Sequence, residues 1–377
     1  MAGESRPGQG AGSAQSTRAG DGRDIFLSEI LEQPQALRRA ADSLGEQVDA
    51  FSFGEPARLR NRPLLLTGMG SSYHACLAAA SAFGRRGVLA VTANTAELVH
   101  FRWKAAANAG AVVLISQSGR SVEVIRLAEK LASLASGPRL IAITNGTGNP
   151  LASMADVCLD TAAGEEIGPS TKSYAATFVP LAALVETRSR ARGRQPAGAA
   201  LARVAEAAHA AADAAQRLLQ APDALAEDLF RWLDRRRMVT FLGRGVARGP
   251  AETSALVLKE AARFAAEALD TADFRHGPLE LAGPDLAIVL LSLEERTRHL
   301  DARLAAEMAG HGAAVQVVAN GRGAVDGVRN VTVGRLDPLL ASAVAVIPAQ
   351  LLAWRAALAK GRQPGEFHVA SKVTTRE

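Results

Sequence analysis

The stretch "VVLISQSGRSVEVIRLAEKLA" (residues 112–132) opens as an apolar run, passes through four polar side chains and one glycine within six positions, and continues with helical periodicity. An apolar run without alternation that leads straight into a 3.6-residue period reads as a buried parallel strand feeding a helix. The pattern returns in "IVLLSLEERTRHLDARLAAEM" (288–308), and two further pairs flank it. "LLLTGMGSSYHACLAAA" (64–80) matches "VTFLGRGVARGPAETSALVL" (239–258), each a strand, Gly-x-Gly and a helix. "LIAITNGTGNPLASMADVCL" (140–159) matches "VQVVANGRGAVDGVRNVTV" (315–333). Gly68 pairs with Gly243, Ser116 with Ser292 and Asn145 with Asn320, so the offset stays at about 175 residues throughout. A nearly constant offset over three elements identifies two copies of one domain.

Each copy alternates short Val/Ile/Leu runs with helical patterns, the signature of an α/β fold with helices on both faces of a parallel sheet. The expectation is two tandem doubly wound, flavodoxin-like domains with linking and flanking helices. Residues 1–24, rich in Gly and Ser, read as a disordered tail. The first domain with its leading and linker helices covers 25–222, the second covers 223–361, and 362–377 form a C-terminal tail. The leading helices break at Pro34. The Ala-rich span 172–232 reads as two or three linking helices, and 338–360 as one long closing helix.

Composition narrows the function. The 377 residues are 48% apolar and 21% charged, as in globular proteins. No window approaches the roughly 18 uninterrupted apolar residues of a membrane span. Two cysteines, Cys76 and Cys158, argue against a disulfide framework and for the reducing cytoplasm. The net charge of +5 comes from scattered arginines, which read as a solvated surface and not as a nucleic-acid patch. Neither Gly-x-Gly loop completes a dinucleotide fingerprint, and no Walker lysine follows one. The histidines show no metal-ligand spacing, so neither cofactor nor metal is expected. His74 reads as a packing residue.

Ligands of open parallel sheets sit beyond the carboxyl ends of the strands, where a starting helix offers unpaired N–H groups. Ser116, Gln117, Ser118 and Ser121 add polar side chains there, and Gly119 permits close backbone approach. The neighbouring loop adds Gly70, Ser71 and Ser72. This combination predicts a phosphate pocket in the first copy. The second copy carries Glu294 and Glu295 at the matching turn, where carboxylates repel phosphate, so it is expected to supply something else.

"GMGSS", "SQSGRS", "AGEEIGPSTKSY", "LGRG", "LKEAARFAAEA", "FRHGP" and "SKVT" follow in this order over residues 24–377. This series resembles the sugar isomerase (SIS) domain family, both the isomerase half of glutamine–fructose-6-phosphate amidotransferase and, more closely, stand-alone glucosamine-6-phosphate deaminases. The resemblance implies a sugar phosphate held by Ser116, Gln117, Ser118 and Ser121 with help from Ser72. It implies that Glu260 moves a proton between C1 and C2, and that His276 opens the pyranose ring from a neighbouring subunit of a homodimer. Ser170 and Lys172 would line the sugar, and the tail would bring Lys372 near it. Two positions depart from the amidotransferase pattern: a lysine is replaced by Val257, and the tail lysine falls one residue later. Both weigh against the amidotransferase mechanism; Lys372 is still counted with Glu260 and His276 as a catalytic residue, but as the family lysine that could form an imine is displaced by one residue, its task stays open. With about two dozen residues ahead of the domains, no glutaminase segment is expected, so free ammonia would be used or released. Rival readings are a galactosamine-6-phosphate or fructosamine-type enzyme, an isomerase without amine chemistry, or a sugar-phosphate sensor.

Overall fold

A computed structural model describes residues 24–51, 62–188, 197–369 and 371–374. The tail expected over 1–24 lies outside these residues except for Asp24, which belongs to the fold. Its carboxylate caps the first helix by accepting from the Leu27 N–H at 2.8 Å, and also accepts from the Trp354 indole at 2.6 Å.

The chain leads in with α1 (Ile25–Leu31), α2 (Gln33–Ser43) and α3 (Val48–Phe51). The first half continues as β1 (Leu64–Gly68), α4 (Gly70–Arg85), β2 (Ala90–Asn94), α5 (Thr95–Glu97), α6 (Trp103–Ala107), β3 (Ala111–Ile115), α7 (Val122–Ala132), β4 (Arg139–Thr144), α8 (Pro150–Met154) and β5 (Val157–Asp160). Three helices, α9 (Lys172–Thr187), α10 (Ala197–Leu218) and α11 (Pro222–Leu233), lead to the second half. That half runs β6 (Met238–Gly243), α12 (Arg248–Ala262), β7 (Ala265–Asp270), α13 (Thr271–Phe274), β8 (Ala287–Ser292), α14 (Arg298–Gly310), β9 (Ala314–Asn320) and β10 (Arg329–Gly334). The chain closes with α15 (Pro338–Val344) and α16 (Ile347–Ala359). The single closing helix expected from sequence is therefore two. Pro348 lacks the N–H that would extend the upstream ladder. By length and composition Pro338–Ala359 would suffice for a membrane span, yet 94% of that window is buried inside the fold.

Both sheets are parallel throughout and share one topology. The first is ordered β2-β1-β3-β4-β5 and the second β7-β6-β8-β9-β10. This is the flavodoxin-like order. The inner strands β1, β3 and β8 are buried along their whole length, whereas the edge strands β2 and β10 alternate. Alternate residues serve opposite faces, as strand geometry requires. Val113, Ile143, Phe241 and Val289 enter the large core shared by both halves. Val112, Leu114 and Leu140 pack beneath α7, and Ile288, Leu290 and Val315 beneath α14.

The structure adds a pair that sequence comparison did not find. β2 and β7 are equivalent edge strands, and each ends in a side-chain cap: Asn94 accepts from Ala96 N–H at 3.0 Å and Asp270 from Ala272 N–H at 2.8 Å. The halves meet where α4 lies against α12. His74, read as a packing residue, is mostly buried there, with Nδ1 3.1 Å from Thr253 Oγ1, and burial lowers its pKa to about 4. Gly249 touches the same helix so closely that a Cβ would fall 2.3 Å from the His74 carbonyl oxygen. Gly249→Ala is expected to cost about 1–3 kcal/mol, the usual penalty of overpacking. A lowered urea midpoint would register it, and an unchanged midpoint would show that the joint yields.

Candidate active site

The turn after β3 and the first turn of α4 border one cavity of about 230 Å³. Gln117, Ser118 and Ser121 line it from the first, and Gly70, Ser71 and Ser72 from the second. Ser116 does not line it. It is buried at the end of β3, with its Oγ 3.2 Å from that of Ser121, and so holds Ser121 in place. Gly119 has φ +61°, and a Cβ there would fall 1.8 Å from Asn149 Oδ1. The close approach that this glycine permits is thus made to Asn149, which caps α8.

The opposite walls come from elsewhere in the chain. Glu260 and Leu256 project from α12, and Pro169 and Ser170 from the segment before α9. Phe367, Ser371, Lys372 and Thr374 come from the C-terminal tail. The tail is anchored on α7, where the Val122 N–H donates to the Thr374 carbonyl at 3.3 Å. Burial raises the Glu260 carboxyl to about 6, against the opposing pull of the Lys372 and Lys259 charges. A carboxylate held there is poised to accept a proton near neutral pH. Val257 faces the shared core, not the cavity.

Sequence reasoning missed two acids behind this wall. Glu166 is buried and accepts from the Thr171 N–H at 2.9 Å, the Ser173 N–H at 3.0 Å, the hydroxyls of both residues, and Lys372 Nζ at 2.6 Å. Burial alone would raise its pKa, but the Lys372 charge and the hydrogen bonds from Lys372 and Ser173 hold it below the usual range. Glu29 of α1 clamps the same loop by accepting from the Ile167 and Gly168 N–H groups, and burial pushes its carboxyl up to about 7. The visible signal was the acidic pair Glu165-Glu166 in a stretch of small and apolar residues. Nothing local marked Glu29.

Two other expected residues sit apart from the cavity. Lys172 starts α9 with a buried side chain, and its ammonium is 2.6 Å from Glu32, which holds it away from the sugar position expected for it. His276 follows α13 on the surface and is not among the lining residues. No cluster of metal-binding side chains occurs among the described residues.

In the second half, the matching turn is filled by the protein itself. Glu294 is buried, accepts from the Val246 N–H at 3.1 Å and pairs with Arg85 of α4 at 3.1 Å. Val246 corresponds to Ser71, so a carboxylate stands where the first half leaves its cavity open. Glu295 faces solvent. Glu294→Ser is expected to leave this N–H and Arg85 without their anion. Calorimetric titration with inorganic phosphate should then give one more binding equivalent than the wild-type chain. An unchanged stoichiometry would show that the second cradle cannot hold an anion.

The sequence matches the SIS domain family over residues 60–187 and 233–325. The isomerizing glutamine–fructose-6-phosphate aminotransferase of Pyrobaculum aerophilum is 29% identical over 369 residues, covering 97% of this chain and 60% of that protein. That of Rhizobium meliloti is 27% identical over 378 residues, covering 95% and 60%. The chain thus spans about three-fifths of the length of these relatives. Among solved structures, the C-terminal domain of the Francisella tularensis glucosamine-fructose-6-phosphate aminotransferase superposes with a TM-score of 0.76 at 21% identity, over 92% of this chain and 99% of that one. Glucosamine-6-phosphate deaminase from Thermotoga maritima gives 0.71 at 21%, over 93% and 99%. Tagatose-6-phosphate ketose/aldose isomerase from Escherichia coli gives 0.74 at 22%, over 94% and 98%. At these identities the structures speak for the fold. With the family match covering both repeats, the chain belongs to the SIS domain family.

Proposed function

We propose that the protein is a sugar-phosphate aldose–ketose enzyme that converts glucosamine 6-phosphate and water to fructose 6-phosphate and ammonia. The observation that carries this reading is the meeting, in one cavity, of a hydroxyl-rich helix-start turn from the first half with Glu260 from the second. The turn offers N–H and O–H donors suited to a phosphate ester. Glu260 supplies the base that isomerisation needs beside the reacting carbons. The relatives' names support the substrate class, and the "SQSGRS", "AGEE" and "TKSY" motifs favour the deaminase branch.

In this reading Gln117, Ser118 and Ser121 hold the phosphate, with Ser72 assisting. Glu260 carries the proton between C2 and C1, and the resulting imine at C2 is hydrolysed by water to release ammonia. His276 opens the ring from a second copy of the chain, in keeping with its surface position away from its own cavity. The site then requires at least a homodimer, which light scattering reads directly.

Ammonia release from a panel of amino-sugar phosphates tests the substrate. Release from glucosamine 6-phosphate alone supports the reading. Release from galactosamine 6-phosphate or a fructosamine phosphate moves the assignment to those sugars, and tight binding without turnover makes the chain a sensor. Glu260→Gln should lower kcat by about 10²–10⁴, the usual contribution of a positioned base. As a base Glu260 works ionised, so kcat/KM should rise with pH through about 6 and level off above it. A profile flat from pH 5 to 8 would remove Glu260 from this role. Ser118→Asp should raise KM at least about tenfold, equivalent to ~1.4 kcal/mol of lost binding.

A further inference from the structure

We infer that Lys372 acts in this site as an ammonium ion-paired with Glu166, and not as an amine that forms an imine with the sugar. The inference rests on the proposed sugar-phosphate chemistry for its substrate, but the state of the lysine can be read without substrate. Nζ lies 2.6 Å from Glu166 Oε2 and 2.6 Å from the Gly168 carbonyl oxygen. An ammonium has three N–H donors, so two are taken and one is left. The Glu166 side chain has no exposed surface and already accepts from Thr171 and Ser173. Five donors, from Thr171, Ser173 and Lys372, point at its two oxygens and oppose its protonation. Deprotonating Lys372 would leave that buried carboxylate without its counter-charge, which is the costly way to break a buried pair. An imine requires the neutral amine, so this arrangement opposes it. Gly168 is in turn held by Glu29 through its own N–H at 3.1 Å, so α1 fixes the loop that fixes the lysine.

The remaining donor matches a need of the reaction. Glu260 takes the proton from C2, the C–H electron pair becomes the C1–C2 double bond, and the aldehyde oxygen takes up negative charge. Glu260 returns the proton to C1 while one proton passes through solvent from the amino group to the oxygen, which leaves the imine at C2 ready for hydrolysis. A preorganised cation beside the developing oxyanion lowers that barrier. Among the described residues lining the cavity, Lys372 is the only cationic side chain. It sits close enough to Glu260 for its charge to act on that carboxyl. Glu166 is then a positioning residue acting through Lys372.

Two measurements decide this. The first needs no substrate: reductive methylation with formaldehyde and borohydride, mapped by mass spectrometry at pH 7.5. Lys372 should stay unmodified in the wild-type chain and become modified in Glu166→Gln, with the other lysines unchanged. Ready modification in the wild type overturns the inference, whatever the substrate proves to be. The second compares variants by ammonia release. Lys372→Met should lose about 10²–10³ in kcat, the scale of one oxyanion donor, with KM within a few-fold. Lys372→Arg keeps the charge, cannot form an imine, and should stay within about tenfold of the wild type. Equal loss in both variants, or a borohydride-trapped fructose 6-phosphate adduct on Lys372, overturns it. A wild-type chain that turns over no amino-sugar phosphate but protects Lys372 defeats the proposed substrate and leaves the charged lysine standing.

Discussion

The contact of α4 with α12 is the constraint on which the rest of the molecule depends. Each helix follows the first strand of its own repeat, and the two pack so closely that Gly249 lies against the His74 carbonyl. Through this joint the inner faces of both sheets enter one core. The same joint sets the start of α4, with Gly70, Ser71 and Ser72, beside Leu256 and Glu260 of α12. The cavity is therefore composite. Neither repeat carries it alone, and any loosening of the joint separates the hydroxyl-lined turn from the carboxylate.

Charge distinguishes the two halves more than shape does. Both place a tight turn after the third strand of the sheet and a helix start beside it. In the first half that space is open, and the turn itself contributes neutral side chains, with the carboxylate of Glu123 from α7 beside them. In the second, Glu294 fills it and ties it to Arg85 across the joint. A duplicated fold thus has one turn that borders an open cavity and one that is occupied by its own carboxylate. The open side is backed by Glu29, Glu166 and Glu260, with Lys372 among them. Burial raises Glu29 and Glu260, whereas Glu166 is held low by the lysine and by hydrogen bonds. Acids of one chemical type are thereby given different proton affinities by their surroundings.

The duplication was legible because its three matched segments keep both the strand-to-helix pattern and the offset. The pair β2 and β7 was not, because edge strands carry weak hydrophobic signals, and only the capping geometry of Asn94 and Asp270 survives there. Gln117, Ser118 and Ser121 were legible as a cluster on one turn. Ser116 stood in the same cluster but points inward, a distinction that strand pleat and burial make and spacing does not. Lys172 shared a motif with Ser170, yet two residues further on its side chain is buried against Glu32.

What the amino-acid sequence determined by itself is local and periodic. It set the two α/β repeats, the helix starts after the strands, the polar turn of the first repeat and the acidic turn of the second. These follow from hydrophobic period and turn chemistry, which act over a few residues. Tertiary structure alone decided which distant groups share a cavity. Glu29, Glu166 and Lys372 lie far apart in the chain and meet because α1, the loop before α9 and the tail converge on one buried carboxylate. That carboxylate must find its counter-charge and its donors wherever the fold can bring them, and no local pattern records where that is.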